Sequence, residues 1–92
     1  MSMAKVKIPT PLRSFTRNQQ EVTVDGATVG EVLRELEKRF PGIGPRVLDD
    51  KGAVRRYVNV FLNEEDIRFL EELETPVKSS DRITLIPAIA GG

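Results

Sequence analysis

Thr28-Val29-Gly30-Glu31-Val32-Leu33-Arg34-Glu35-Leu36-Glu37-Lys38-Arg39-Phe40 is the stretch that decides how this chain folds. It opens with the Thr-x-x-Glu spacing of a capping box, in which a Thr hydroxyl and a Glu carboxylate satisfy free backbone donors at a helix start. Val29, Val32, Leu33, Leu36 and Phe40 follow at i, i+3, i+4, i+7 and i+11, so they share one stripe that must be covered. Glu35 and Arg39 make a favourable i, i+4 pair on the solvated side. The helix is expected to stop before Pro41-Gly42, because the residue preceding a proline is pushed out of the helical region. Residues 45 to 49 have room for one further turn.

The segments on either side read as strands, which supply the cover. Upstream, Ala4 to Ile8 alternates, with Val6 and Ile8 on one face and Lys5 and Lys7 on the other, and Pro9 and Pro11 end it. After a polar turn around Arg17 to Gln20, Val22 and Val24 alternate again before the turn dipeptide Asp25-Gly26. These two strands are expected to pair antiparallel, joined by residues 10 to 19. Downstream, Val54 to Leu62 is the strongest strand, rich in β-branched and aromatic residues and preceded by the Asp50-Lys51-Gly52 turn. Val58, Val60 and Leu62 share one of its faces, and Tyr57, Asn59 and Phe61 the other. Residues 63 to 78 are acidic and mixed, with Ile67, Leu70 and Leu73 fitting a short strand or 3₁₀ piece. Arg82 to Ile86 is the last strand, ended by Pro87. A hairpin, a crossover helix and later strands make an α+β domain: a mixed sheet of four to five strands packed on one main helix.

Composition excludes more than it suggests. Ninety-two residues with 14 basic and 14 acidic side chains make one small neutral domain. A chain of this size buries roughly 60 to 65% of its unfolded surface, enough for a thin core but not for a deep substrate cavity. It contains no Cys, so there is no disulfide, no thiolate nucleophile and no cysteine metal site, and no His, which removes Ser-His and Cys-His catalysis. Zero net charge argues against a nucleic-acid binder. No stretch approaches the ~18 apolar residues of a membrane span, and no signal-peptide run is present, which points to a cytoplasmic protein without a membrane partner.

The chain ends Pro87-Ala88-Ile89-Ala90-Gly91-Gly92, running straight out of the last strand without a charged side chain. At an average glycine frequency, two terminal glycines arise by chance in only about 0.5% of chains. Residues 1–87 are therefore taken as the domain and residues 88–92 as a flexible reactive tail, able to reach about 15 to 18 Å from it. An α-carboxylate at neutral pH is a poor electrophile. It becomes reactive only if a partner activates it, by adenylation with ATP, after which it takes up sulfur as a thiocarboxylate or an amine as an amide. Gly92 has no side chain beside the carbonyl and Gly91 passes a narrow channel.

Three blocks carry a family likeness: Ile8-Pro9-Thr10-Pro11-Leu12-Arg13, then Tyr57-Val58-Asn59-Val60-Phe61-Leu62-Asn63-Glu64-Glu65-Asp66-Ile67-Arg68-Phe69, and Asp81-Arg82-Ile83-Thr84-Leu85-Ile86-Pro87-Ala88-Ile89-Ala90-Gly91-Gly92. Through almost its whole length the chain resembles the ubiquitin-like β-grasp sulfur carriers of the MoaD and ThiS type, and among them the carriers of cysteine biosynthesis. The resemblance implies a β-grasp fold and a protein co-substrate rather than an enzyme, with no resident cofactor or metal. It implies adenylation of Gly92 by an E1-like enzyme that uses ATP, conversion to a thiocarboxylate, and delivery of that sulfur to an acceptor. The acceptor it favours is an aminoacrylate on a pyridoxal-phosphate cysteine synthase. The large subunit of molybdopterin synthase, tRNA thiolation and conjugation to protein lysines stand as alternatives. One departure is visible: many relatives have Gly-Asp before the last strand, where this chain has Ser80-Asp81. A plain β-grasp interaction module with an incidental Gly-Gly end is the alternative of a different class.

If Val58, Val60 and Leu62 pack on the helix, alternation sends Tyr57 and Phe61 outward, and it sends Ile86 outward from the last strand. Tyr57, Phe61, Ile86 and Ile89 are thus the expected partner-binding patch beside the tail. The other clusters read as ordinary surface. Lys38-Arg39, Arg55-Arg56, Arg13 and Arg17 are solvated charges. Glu64-Glu65-Asp66 lacks the spacing of a cation loop, and Gly42-Ile43-Gly44-Pro45 is half a phosphate loop without its Lys-Ser/Thr.

Overall fold

The computed structural model describes residues 3–87. Strand β1 (Met3–Lys7) pairs antiparallel with β2 (Glu21–Asp25), Val6 opposite Val22 and Ala4 opposite Val24. Helix α1 (Val29–Arg39) follows, then a single helical turn, α2 (Gly44–Val47), strand β3 (Val58–Leu62), the two-residue β4 (Glu65–Asp66) and β5 (Arg82–Pro87). The sheet order is β2-β1-β5-β3-β4. β5 lies parallel to β1 and antiparallel to β3, so the last strand in sequence is the central one in space. One helix laid across this five-stranded mixed sheet is the β-grasp arrangement that the resemblance implies.

The core is the alternation of the strands meeting the stripe of the helix. Ala4, Val6, Val22, Val24, Val58, Val60, Ile83 and Leu85 point inward and pack with Val29, Val32, Leu33 and Leu36. Burying each large aliphatic side chain contributes about 1.5–3 kcal/mol relative to leaving it in water. Thr28 caps α1, its hydroxyl accepting from Glu31 N at 3.2 Å, while Glu31 Oε1 accepts from Ala27 N at 3.1 Å, one residue before the expected donor. Gly26 is needed for close approach: a Cβ there would stand 2.6 Å from Val32 Cγ2 and 2.7 Å from Val32 N. Phe40 is half-buried at the end of α1 and extends the stripe past its last turn.

Three readings change. The connection after β1 is not simply a polar link: Thr10–Thr16 forms a 3₁₀ helix that buries Leu12 and Thr16. Pro9 and Pro11 set its entry, and the hydroxyl of the fully buried Thr16 lies within hydrogen-bond distance of the Arg13 and Gln19 carbonyls. The strand expected over Val54–Leu62 begins only at Val58. Local hydrogen bonds take the upstream residues: the Asp49 carboxylate accepts from Lys51 N and Ala53 N, Val54 bridges to Leu48, and Arg55 donates to Val47 O and Pro45 O. The donors from Ala53 and Lys51 hold the Asp49 carboxyl below its ordinary pKa, since they favour the charged form. The last strand runs one residue further than expected, with Pro87 opposite Val58. Residues 63 to 78 do form a short strand and 3₁₀ turns, with Ile67 buried and Leu73 against the core, whereas Leu70 is exposed.

Candidate partner face and terminal strand

β5 carries the approach to the chain's end. Its start is locked by Asn63, which donates its backbone N–H to Arg82 O at 2.7 Å and accepts at Oδ1 from Arg82 N at 3.1 Å. Asp81 adds a second tie, accepting from Lys78 N at 2.8 Å and from Asn63 Nδ2 at 3.3 Å. The turn before the strand holds Ser80 at φ 76, the left-handed region usually left to glycine, so the departure Ser80-Asp81 keeps the turn with a side chain in it.

The outer face of the sheet, away from α1, has a mixed character set by register. Ile86 is 45% exposed and stands opposite Asn59. Phe61 is half-buried, between Thr84 of β5 and Asp66 of β4. Both point outward, as alternation requires. Tyr57 is 44% exposed but precedes the strand; it lines a shallow hollow with Pro11, Leu12, Phe15, Arg46 and Pro87. It is therefore a surface residue at the end of β5 rather than a member of the β3 outer row. Ile89, Gly91 and Gly92 lie outside the described residues.

Sequence reading passed over the basic half of this face. Lys5 is the register partner of Arg82, and Lys7 that of Thr84, all on the same side as Phe61. Ion pairing among the described residues is confined to Glu35 with Lys38 and Arg39, each at 4.0 Å, so none of these three cations has a carboxylate of a described residue that close. The alternation of Lys5 and Lys7 was a visible signal, but their adjacency to Arg82 depends on the parallel pairing.

The clusters read as surface are accounted for locally. Glu35 sits at 4.0 Å from both Lys38 and Arg39, Arg13 Nε donates to Ile8 O, and Arg55 Nε to Pro45 O. Asp66 accepts from Arg68 N and so caps the following 3₁₀ turn. The glycine loop has its donors occupied by the chain itself, since Glu37 accepts from Gly42 N and Gly44 N, at 2.6 Å from the latter. Among the described residues, no group of three or more acidic side chains is arranged to hold a metal ion. Nor is any helix among them long and apolar enough to cross a membrane.

The model of the ThiS family matches residues 6–92, nearly the whole chain and including both terminal glycines. The chain belongs to the ThiS family. The sulfur carrier protein CysO of Mycobacterium tuberculosis is 42% identical over 89 residues, covering 95% of this chain and 96% of the relative. The small archaeal modifier protein 3 of Haloferax volcanii is 38% identical over 68 residues, covering 74% of this chain and 73% of its own. The crystal structure of CysO from Amycolatopsis orientalis, in complex with BexX, superposes with a TM-score of 0.90 at 42% identity, covering 97% of this chain and 99% of that one. This ThiS-family chain has the general role of a sulfur carrier protein and is similar to CysO, and its relatives are named as carriers and modifiers rather than enzymes. Proteins of this kind act with partners, as the complex with BexX illustrates for the Amycolatopsis relative.

Proposed function

We propose that this protein carries sulfur on its Gly92 carboxylate. An E1-like partner joins that carboxylate to the α-phosphate of ATP, releasing pyrophosphate and leaving an acyl adenylate. A sulfide equivalent attacks the carbonyl, AMP departs, and the terminus becomes a thiocarboxylate. The observation that carries the reading is the family match running through Gly91-Gly92. β5 supports it physically: the strand that leads into the terminal residues is central in the sheet, paired with β1 as far as Thr84 and with β3 as far as Pro87. The domain offers no His or Cys, which fits a carrier whose chemistry is supplied by partner enzymes. ATP is then a co-substrate of the activating enzyme.

The acceptor is proposed to be an aminoacrylate on a pyridoxal-phosphate cysteine synthase, on the strength of the likeness to CysO over 95% of the chain. A second reading, conjugation of the activated terminus to lysines of other proteins, is favoured by the likeness to an archaeal modifier protein. Phe61 and Ile86 make the docking patch for the activating enzyme, bordered by Lys5, Lys7 and Arg82, with Tyr57 at the end of β5 and Ile89 of the terminal segment as further contacts. Deleting Gly91-Gly92 tests the assignment. A carrier loses all sulfur transfer while its unfolding midpoint stays unchanged; retention of transfer would move the chemistry elsewhere.

A further inference from the structure

β3 has a second side. Val58 and Val60 point away from Phe61 and Ile86, and together with Ile67 and Leu73 they form the floor of a socket of about 240 Å³. That is smaller than the ~300–1,000 Å³ of ordinary small-molecule sites, and suits an inserted side chain rather than a whole ligand. Its rim is acidic: Asp66, Glu71, Glu72 and Glu74 surround it, against one cation, Arg68. The Arg68 guanidinium is already engaged, donating from Nη2 to Val58 O at 3.2 Å and Arg56 O at 3.3 Å. Glu71, Glu72 and Glu74 are exposed, and among the described residues none has a cation within 4.0 Å.

The walls are held in place from below. Val29 N donates to Thr75 O at 3.0 Å and Val77 N to Ala27 O at 2.9 Å, which ties the wall to the start of α1. A Cβ at Gly30 would lie 3.3 Å from Leu73 Cβ, so helix and wall are in direct contact. The same segment exposes two apolar side chains, Leu70 and the 83% exposed Phe69.

We propose that this socket docks a basic segment of a partner protein, with a Lys or Arg stem laid on the aliphatic floor, its charge among the Glu71, Glu72 and Glu74 carboxylates, and flanking apolar residues on Phe69 and Leu70. Charge complementarity selects this occupant, since long basic side chains bury their methylenes while keeping the charge in a polar setting. Charge complementarity does not favour residues 88–92 as the occupant, since they carry no cationic side chain. Because the socket and the Phe61–Ile86 face lie on opposite sides of β3, the two surfaces are open to two partners at once.

The test is an amide chemical-shift titration of the full chain with the peptide acetyl-Ala-Leu-Arg-Lys-Leu-Ala-amide, beside a twin in which Glu-Glu replaces Arg-Lys. Shifts are expected at Val58, Val60, Ile67, Phe69 and Leu73, with much smaller ones at Phe61 and Ile86. The triple variant Glu71→Gln, Glu72→Gln, Glu74→Gln should bind about tenfold more weakly, the scale of losing several exposed charge pairs. An Ile86→Asp variant should bind the peptide as the parent does. The proposal is overturned if those amides do not move, if the acidic twin moves them equally, or if the triple variant binds unchanged. Equal shifts from free argininamide would make it a small-cation socket and overturn it too.

Discussion

Asn63 and Arg82 hold each other by two hydrogen bonds, one from the Asn63 backbone at 2.7 Å and one to its side chain at 3.1 Å, although 19 residues separate them. Asn63 sits at φ 58, where Asn is tolerated better than most residues because its short polar side chain bonds locally. The pair closes the β3–β4 turn onto the first residue of β5, the strand leading to the terminus.

Asn63→Ala should therefore destabilise the domain by about 2 kcal/mol, through two lost side-chain bonds and a left-handed backbone without compensation. Urea unfolding checks this. A loss below a few tenths would mean that β5 is fixed by its ladder alone.

Ser80 at φ 76 supports the opposite expectation. A left-handed non-glycine residue costs about 1–2 kcal/mol, partly offset by the greater freedom glycine brings to the unfolded chain. Ser80→Gly should raise stability by about 0.5–1 kcal/mol, read as a higher thermal midpoint.

The helix, its cap and its stripe were legible in residues 28 to 40 because capping and amphipathic spacing are local properties. The inward faces of the strands were legible for the same reason. What escaped was decided by contacts distant in sequence or by competing local bonds. Thr16 gives no apolar signal, yet it is buried through its carbonyl partners. Val54 to Tyr57 have strong strand character, yet Asp49 and Arg55 draw that part of the chain into a turn. On the candidate site, Phe61 and Ile86 follow from alternation, while the row Lys5–Arg82 needs the parallel pairing of β1 with β5. The acidic socket needs residues 66 to 74 folded back beside β3.

On the outer face, Ile86→Asp and Phe61→Asp should each weaken binding to the activating enzyme by about tenfold or more, the scale of an apolar anchor at an interface centre. Ile86 is already partly exposed, so its charge should leave the fold intact by circular dichroism. Calorimetric titration of the activating enzyme reads the effect; unchanged affinity in both variants would remove this face from the interface.

The central claim concerns the Gly92 carboxylate, and intact-protein mass spectrometry reads it directly. The full chain is incubated with ATP, an E1-like activating enzyme and a sulfide donor, beside a second ThiS-family carrier that the same enzyme converts. The expected result is a mass rise equal to exchange of one oxygen for sulfur, confined to the C-terminal peptide and absent without ATP. An unchanged mass while the second carrier is converted would contradict the account.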